Sequence, residues 1–197
     1  MHKLCHNFLL FIFIFTWSCT AKKNNVSGVH EAAQKMVFLS VTDLIRGQLI
    51  ELDKIQLTPL KIISYNGRSD STWLKKEDIR KFADTFLSPD IDTNYLKTLF
   101  NEKSFLDQTI NALTFSYDPI TTLPDTMSLR RWDVYIDPEK QTIKRIYIVK
   151  EVKHNGKSQT LQLTWIPGFW AKINTISYDF KNTKLLKEEK LIWNFDQ

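Results

Sequence analysis

The groups able to ionise, attack or ligate are sparse in this chain and seldom grouped. Of four histidines, His2 and His6 fall in the first residues, leaving His30 and His154. His154 adjoins Asn155-Gly156, turn chemistry that places it at a hairpin tip. Both cysteines, Cys5 and Cys19, lie in the first nineteen residues. The later chain therefore has no thiolate for zinc and no disulfide framework. There is no Gly-x-Ser-x-Gly elbow and no Gly-rich phosphate loop. No catalytic residue, metal site or cofactor is assigned on these residues, and a histidine base would have to be one of two peripheral groups.

The carboxylates leave a second route open. Asp118, Asp125, Asp133 and Asp137 lie close in sequence, and two of them acting as acid and base would make a hydrolase acting on glycan. The plainer reading is structural. Asp118-Pro119 and Asp137-Pro138 are turn formers by type, and Asp133 sits two residues from Arg131, on the same face of a strand. The cluster Arg130, Arg131, Trp132, Asp133 is the one place where binding chemistry concentrates. Two guanidiniums beside an indole can hold an anionic headgroup or a carboxylate. The competing reading is a salt-bridged strand start with a buried tryptophan.

The elements that must position these groups are legible as patterns. Leu129–Asp137 alternates, with Trp132, Val134 and Ile136 on one face and Arg131, Asp133 and Tyr135 on the other, the period of two of a half-buried strand. Asp137-Pro138-Glu139-Lys140 turns the chain, and the Ile- and Val-rich run Thr142–Val152 returns. Alternation at Leu113, Phe115 and Tyr117 precedes this hairpin. Gln159–Ile166, Phe169–Phe180 and Lys184–Phe195 follow it, the last placing Leu191, Trp193 and Phe195 on one face. Short turns between neighbours predict a six-stranded antiparallel meander. Four tryptophans, Trp132, Trp165, Trp170 and Trp193, fall within it and read as packing residues.

Ahead of the meander, Val37, Val41, Leu44, Ile45, Leu49 and Leu52 recur at helical spacing, with a start near Ser40 or Thr42 and an end at Thr58-Pro59. Leu60–Tyr65 and Arg68–Trp73 flank Asn66-Gly67, a hairpin signal. A second helix is predicted over Lys75–Leu87, stopped by Ser88-Pro89, with a short helical turn in Asp90–Phe100. The expected class is α+β: two N-terminal helices with a short β-hairpin between them, packed on the C-terminal meander. One domain over 29–197 is the simplest division.

The N-terminus carries the strongest functional signal. Lys3 precedes an apolar run, Phe8–Phe15, far short of the ~20 residues that span a bilayer as a helix, and then Thr16-Trp17-Ser18-Cys19. That order is the layout of a secretory signal, and a cysteine directly after the apolar run and a small residue resembles the lipobox of bacterial lipoproteins. The departures are Thr16, where the box usually carries leucine, and the bulky Trp17. The resemblance implies cleavage before Cys19, acylation of that cysteine and attachment of the protein to a membrane. Residues 1–18 would be the signal peptide and 19–28 a lipidated tether. Thr20 in place of Asp lacks the inner-membrane retention signal of enteric lipoproteins. The resemblance therefore implies the outer membrane, facing the periplasm.

Taken whole, the chain resembles the uncharacterised small lipoproteins of Gram-negative envelopes, a likeness specific at Phe8–Cys19 and only architectural beyond. The formal charge is +5, but Lys and Glu alternate through the C-terminal half, without the stripe that tracks phosphates, so no nucleic-acid partner is expected. The expected function is that of a non-enzymatic envelope lipoprotein binding or scaffolding another envelope component, with the membrane as partner through Cys19. Two alternatives remain: a carrier of a lipid or other apolar ligand in a sheet–helix pocket, and the carboxylate hydrolase.

Overall fold

The computed structural model describes residues 39–91, 94–179 and 182–196. Cys19, His30 and the expected signal and tether lie outside them. The chain order is α1 (Val41–Lys54), β1 (Leu60–Tyr65), β2 (Arg68–Trp73), α2 (Asp78–Leu87), α3 (Asn94–Leu99), β3 (Phe100–Asp107), β4 (Ala112–Pro119), β5 (Leu129–Ile136), β6 (Ile143–His154), β7 (Lys157–Ile166), β8 (Trp170–Asp179) and β9 (Asn182–Ile192). All nine strands form one antiparallel sheet in the order β2-β1-β9-β8-β7-β6-β5-β4-β3.

The α+β class and the large antiparallel meander are as expected; the strand count, the helix count (α3 adds to the expected two) and the hairpin's place are corrected. Phe100–Asp107 is a full strand, paired along its length with β4. Its sequence, FNEKSFLD, hides this because it lacks clean alternation: as an edge strand it leaves most side chains in water. The early hairpin is no separate element between helices. Its first strand pairs with the last strand of the chain, Leu60 opposite Ile192 through Tyr65 opposite Lys187. Both Asn-Gly turns form as predicted, with positive φ at Asn66 and Gly67 and again at Asn155 and Gly156, the conformation that only such residues adopt without strain.

One face of the sheet, here the covered face, is packed by the helices. The α1 stripe Val41, Ile45, Leu49 and Leu52 and the α2 stripe Ile79, Phe82, Ala83 and Phe86 are all buried. They meet Trp132, Val134, Ile146, Ile148, Leu163 and Trp165 from the central strands. Aromatic stacking fills this layer. Trp132 lies 4.6 Å from Tyr117, nearly parallel, and 4.7 Å from Phe100. Trp165 meets Phe86 edge-on at 5.3 Å and Trp193 at 5.0 Å, and its indole N–H donates to Gln48.

Two aromatic residues of the C-terminal strands lie outside that core. Trp170 pairs with Ile166 and Ile192, one residue out of phase with buried Trp165 and Leu191, so it belongs to the opposite, open face. Phe195 lies past the end of β9 and is 56% exposed, although Leu191 and Trp193 are buried as predicted.

Candidate functional site

The structure divides the Arg130–Asp133 cluster among three environments. A bulge between Leu129 and Arg131 breaks the alternation at the start of β5. It turns Leu129 into the core beside Lys150 and leaves Arg130 at the strand margin. Arg130 Nε donates to Glu151 at 2.9 Å, and Ser158 donates to the other oxygen of the same carboxylate. These two contacts hold Glu151 below the usual carboxylate range, the serine hydrogen bond foremost. Arg130 and Glu151, with Asp125 and Lys153, line a groove of about 440 Å³. Trp132 points the other way, fully buried.

Arg131 and Asp133 remain together on the open face, as the spacing predicted. Arg131 Nε bonds both carboxylate oxygens of Asp133 at 3.1 and 3.2 Å. Asp133 is only 2% exposed, so its charge depends on that guanidinium. Arg131 also approaches Asp118 at 3.7 Å, and Asp118 in turn accepts from Lys103 at 3.3 Å. A ribbon of alternating charge thus crosses β3, β4 and β5. Next to it Tyr135 lies under the Arg145 guanidinium, 4.0 Å from the ring centroid. Burial pushes the Tyr135 phenol up from its ordinary value, and the Asp133 charge adds to this. Thr114 and Ser116, cross-strand partners of Tyr135 and Asp133, are buried, and among the described residues their hydroxyls have no hydrogen-bond partner.

The four carboxylates weighed for acid–base chemistry are separated in use. Asp118 and Asp133 share Arg131 on a sheet face. Asp137 caps its own turn, accepting from the backbone N–H groups of Glu139 and Lys140 at 3.0 Å each; these bonds, the Lys140 one first, hold it below the carboxylate range. Asp125 stands apart in the groove beside Arg130. Among the described residues no three His, Cys, Asp or Glu side chains are grouped to hold a metal.

Sequence reasoning passed over Lys150. It lies on the covered face, opposite Leu129 and Leu161, and is 2% exposed. Its ammonium donates to the carbonyls of Thr85 and Ser88 at the C-terminus of α2. That last turn carries no basic residue of its own, and a cation there satisfies carbonyls that the helix leaves free. Burial pushes the Lys150 ammonium down to about 8, while the two carbonyls work to keep it charged. The signal was present in the sequence as a lysine at an inward position of alternating Ile146, Ile148 and Lys150.

A groove between α2 and the strands β1, β8 and β9, about 380 Å³, is lined by Leu74, Phe82 and Ile173 with Lys61 and Glu189. Glu189 is bonded to Lys61 at 2.7 Å and Lys187 at 2.8 Å. Burial opposes its charge, and the two lysines together bring it below the usual carboxylate range. No protein-family model matches the chain, and no curated protein or solved structure shows significant similarity to it.

Proposed function

We propose that this chain is a non-enzymatic envelope lipoprotein that binds or scaffolds another envelope component. Its anchor is the acylated Cys19, its site the outer membrane, and its domain faces the periplasm. The anchor rests on the order Lys3, Phe8–Phe15, Ser18, Cys19. The observation that carries the binding role over its alternatives is the filled layer between sheet and helices. A carrier of acyl chains needs an apolar void there, yet two aromatic clusters, Trp132 with Tyr117 and Phe100 and Trp165 with Phe86 and Trp193, occupy that space. A glycan hydrolase needs two carboxylates facing each other across the substrate. Asp118 and Asp133 instead flank one guanidinium on a sheet face, and Glu151, which shares a groove with Asp125, is held by Arg130 and Ser158.

Two experiments test this reading. Cells expressing the chain are fed an alkyne-tagged fatty acid: the native chain takes up the label and Cys19→Ser does not. A native chain without label overturns the anchor. Crosslinking in intact envelopes, followed by purification of the labelled protein, is expected to recover a specific envelope protein. Co-purification of one lipid molecule per chain, with no protein, would favour the carrier.

A further inference from the structure

One transverse row of the open face differs from the rest of it. Through β2, β1, β9, β8 and β7 the cross-strand partners are Trp73, Leu60, Ile192, Trp170 and Ile166. Partners across an antiparallel pair share a face, so these five apolar side chains stand side by side. The row continues on β6, β5, β4 and β3 as Arg145, Tyr135, Thr114 and Phe105. It crosses all nine strands, roughly 38 Å at the usual ~4.8 Å strand spacing. Trp73 is 61% exposed and Phe105 50%; Trp170, Tyr135 and Ile166 are half-buried. Ile110, in the groove beside Tyr135 and Ile166, and Phe195, 6.0 Å from Trp73, extend the apolar level.

The cations of this face differ in their partners. Lys172 is paired with Glu188 and Arg131 with Asp133. Arg145 and Lys190 have no carboxylate within salt-bridge distance among the described residues; they lie over the rings of Tyr135 and Trp170, the latter at 4.4 Å. Amphipathic rings at one level, with cations lying over them, are the composition of a protein surface seated among phospholipid headgroups. A protein partner would more usually be met by a compact patch around an anchoring pocket. Here the apolar groups form a long line, and the groove beside it, between Ile110, Tyr135 and Ile166, measures only about 190 Å³.

We infer that this row is a second membrane contact, through which the folded domain lies against a phospholipid surface, with Arg145 and Lys190 meeting lipid phosphates. The inference rests on the lipoprotein reading for the nearness of a membrane. The tether expected over 19–28 is a short flexible coil, so an acylated Cys19 would keep the domain near a bilayer.

The test uses the full chain, purified from membranes and reconstituted into vesicles of phosphatidylethanolamine and phosphatidylglycerol, with or without brominated acyl chains. Brominated lipids are expected to quench tryptophan emission of the native chain. The quenching is lost in Trp73→Phe/Trp170→Phe, made with Trp17→Phe in every chain compared, which keeps aromatic rings in the row but leaves as emitters the core tryptophans Trp132, Trp165 and Trp193. Arg145→Glu/Lys190→Glu, with near-ultraviolet circular dichroism unchanged, should lose the quenching as well. Equal quenching in the native chain and the tryptophan double variant, or none in either, overturns the inference. So does a photo-crosslinker at position 73 that captures a protein while no quenching is seen. A chain that takes up no fatty acid but loses its quenching in the tryptophan double variant breaks the anchor reading and leaves the membrane contact standing.

Discussion

The two faces of the sheet solve opposite problems with similar residues. The covered face is apolar and stacked, yet it contains an ammonium, Lys150, that donates to carbonyls at the end of a helix. The open face is polar and largely in contact with solvent, yet it contains a carboxylate, Asp133, as deeply buried as Lys150. On the first, charge is held by the end of a helix; on the second, by a half-exposed guanidinium one side-chain step away. Burial alone therefore does not distinguish core from surface in this protein. What distinguishes them is the cover: Trp132 stacks on Tyr117 beneath the helices, whereas Trp170 and Tyr135 on the open face lie under cations.

If the faces differ in this way, truncations should separate them in order of magnitude. Trp132→Ala removes a ring in contact with two others and should cost about 3–5 kcal/mol in chemical denaturation; a loss below about 1 kcal/mol would show that the covered face is not the principal core. Lys150 should reveal itself through pH. Its folded pKa, about 8, lies below the ordinary 10.5, so above pH 8 the unfolded chain holds more protons and stability rises with pH. The gain, measured as native minus Lys150→Met, approaches about 3 kcal/mol over the interval between those values. Below pH 8 both states are protonated and the difference between the variants is flat; a difference that falls with rising pH would contradict the assignment.

On the open face, Asp133→Ala and Arg131→Ala should each cost about 1–3 kcal/mol, because each leaves a partly or fully buried partner unsatisfied. Both should act on stability and leave a binding activity intact in the folded fraction. A variant that keeps its melting temperature while losing a partner would restore Arg131–Asp133 as a binding site. Arg145→Ala should be smallest, about 0.5–1 kcal/mol for a half-buried cation over a ring; urea titration of the two proteins side by side would detect a larger effect.

The Arg130–Asp133 stretch shows how far local pattern carries. Alternation correctly separated Trp132 from Arg131 and Asp133, and the two-residue spacing correctly predicted their ion pair. It did not predict the bulge that moves Leu129 inward and gives Arg130 to Glu151, because a bulge answers to the neighbouring strand's register. Lys150 escaped for a related reason. A lysine at an inward position reads as an error in the pattern until the helix end above it is known.

The sequence by itself determined the local elements: both Asn-Gly turns, the α1 and α2 stripes, the alternation of β5 to β7 and the stop at Ser88-Pro89. Each depends on residues within a few positions of one another, where periodicity and turn chemistry act directly. Only the tertiary structure decided that Leu60–Tyr65 joins the last strand more than a hundred residues away, that Phe100–Asp107 is an edge strand, and that nine side chains from nine strands fall in one row. Register between distant strands is set by the summed packing of a whole face, and no window along the chain contains that sum.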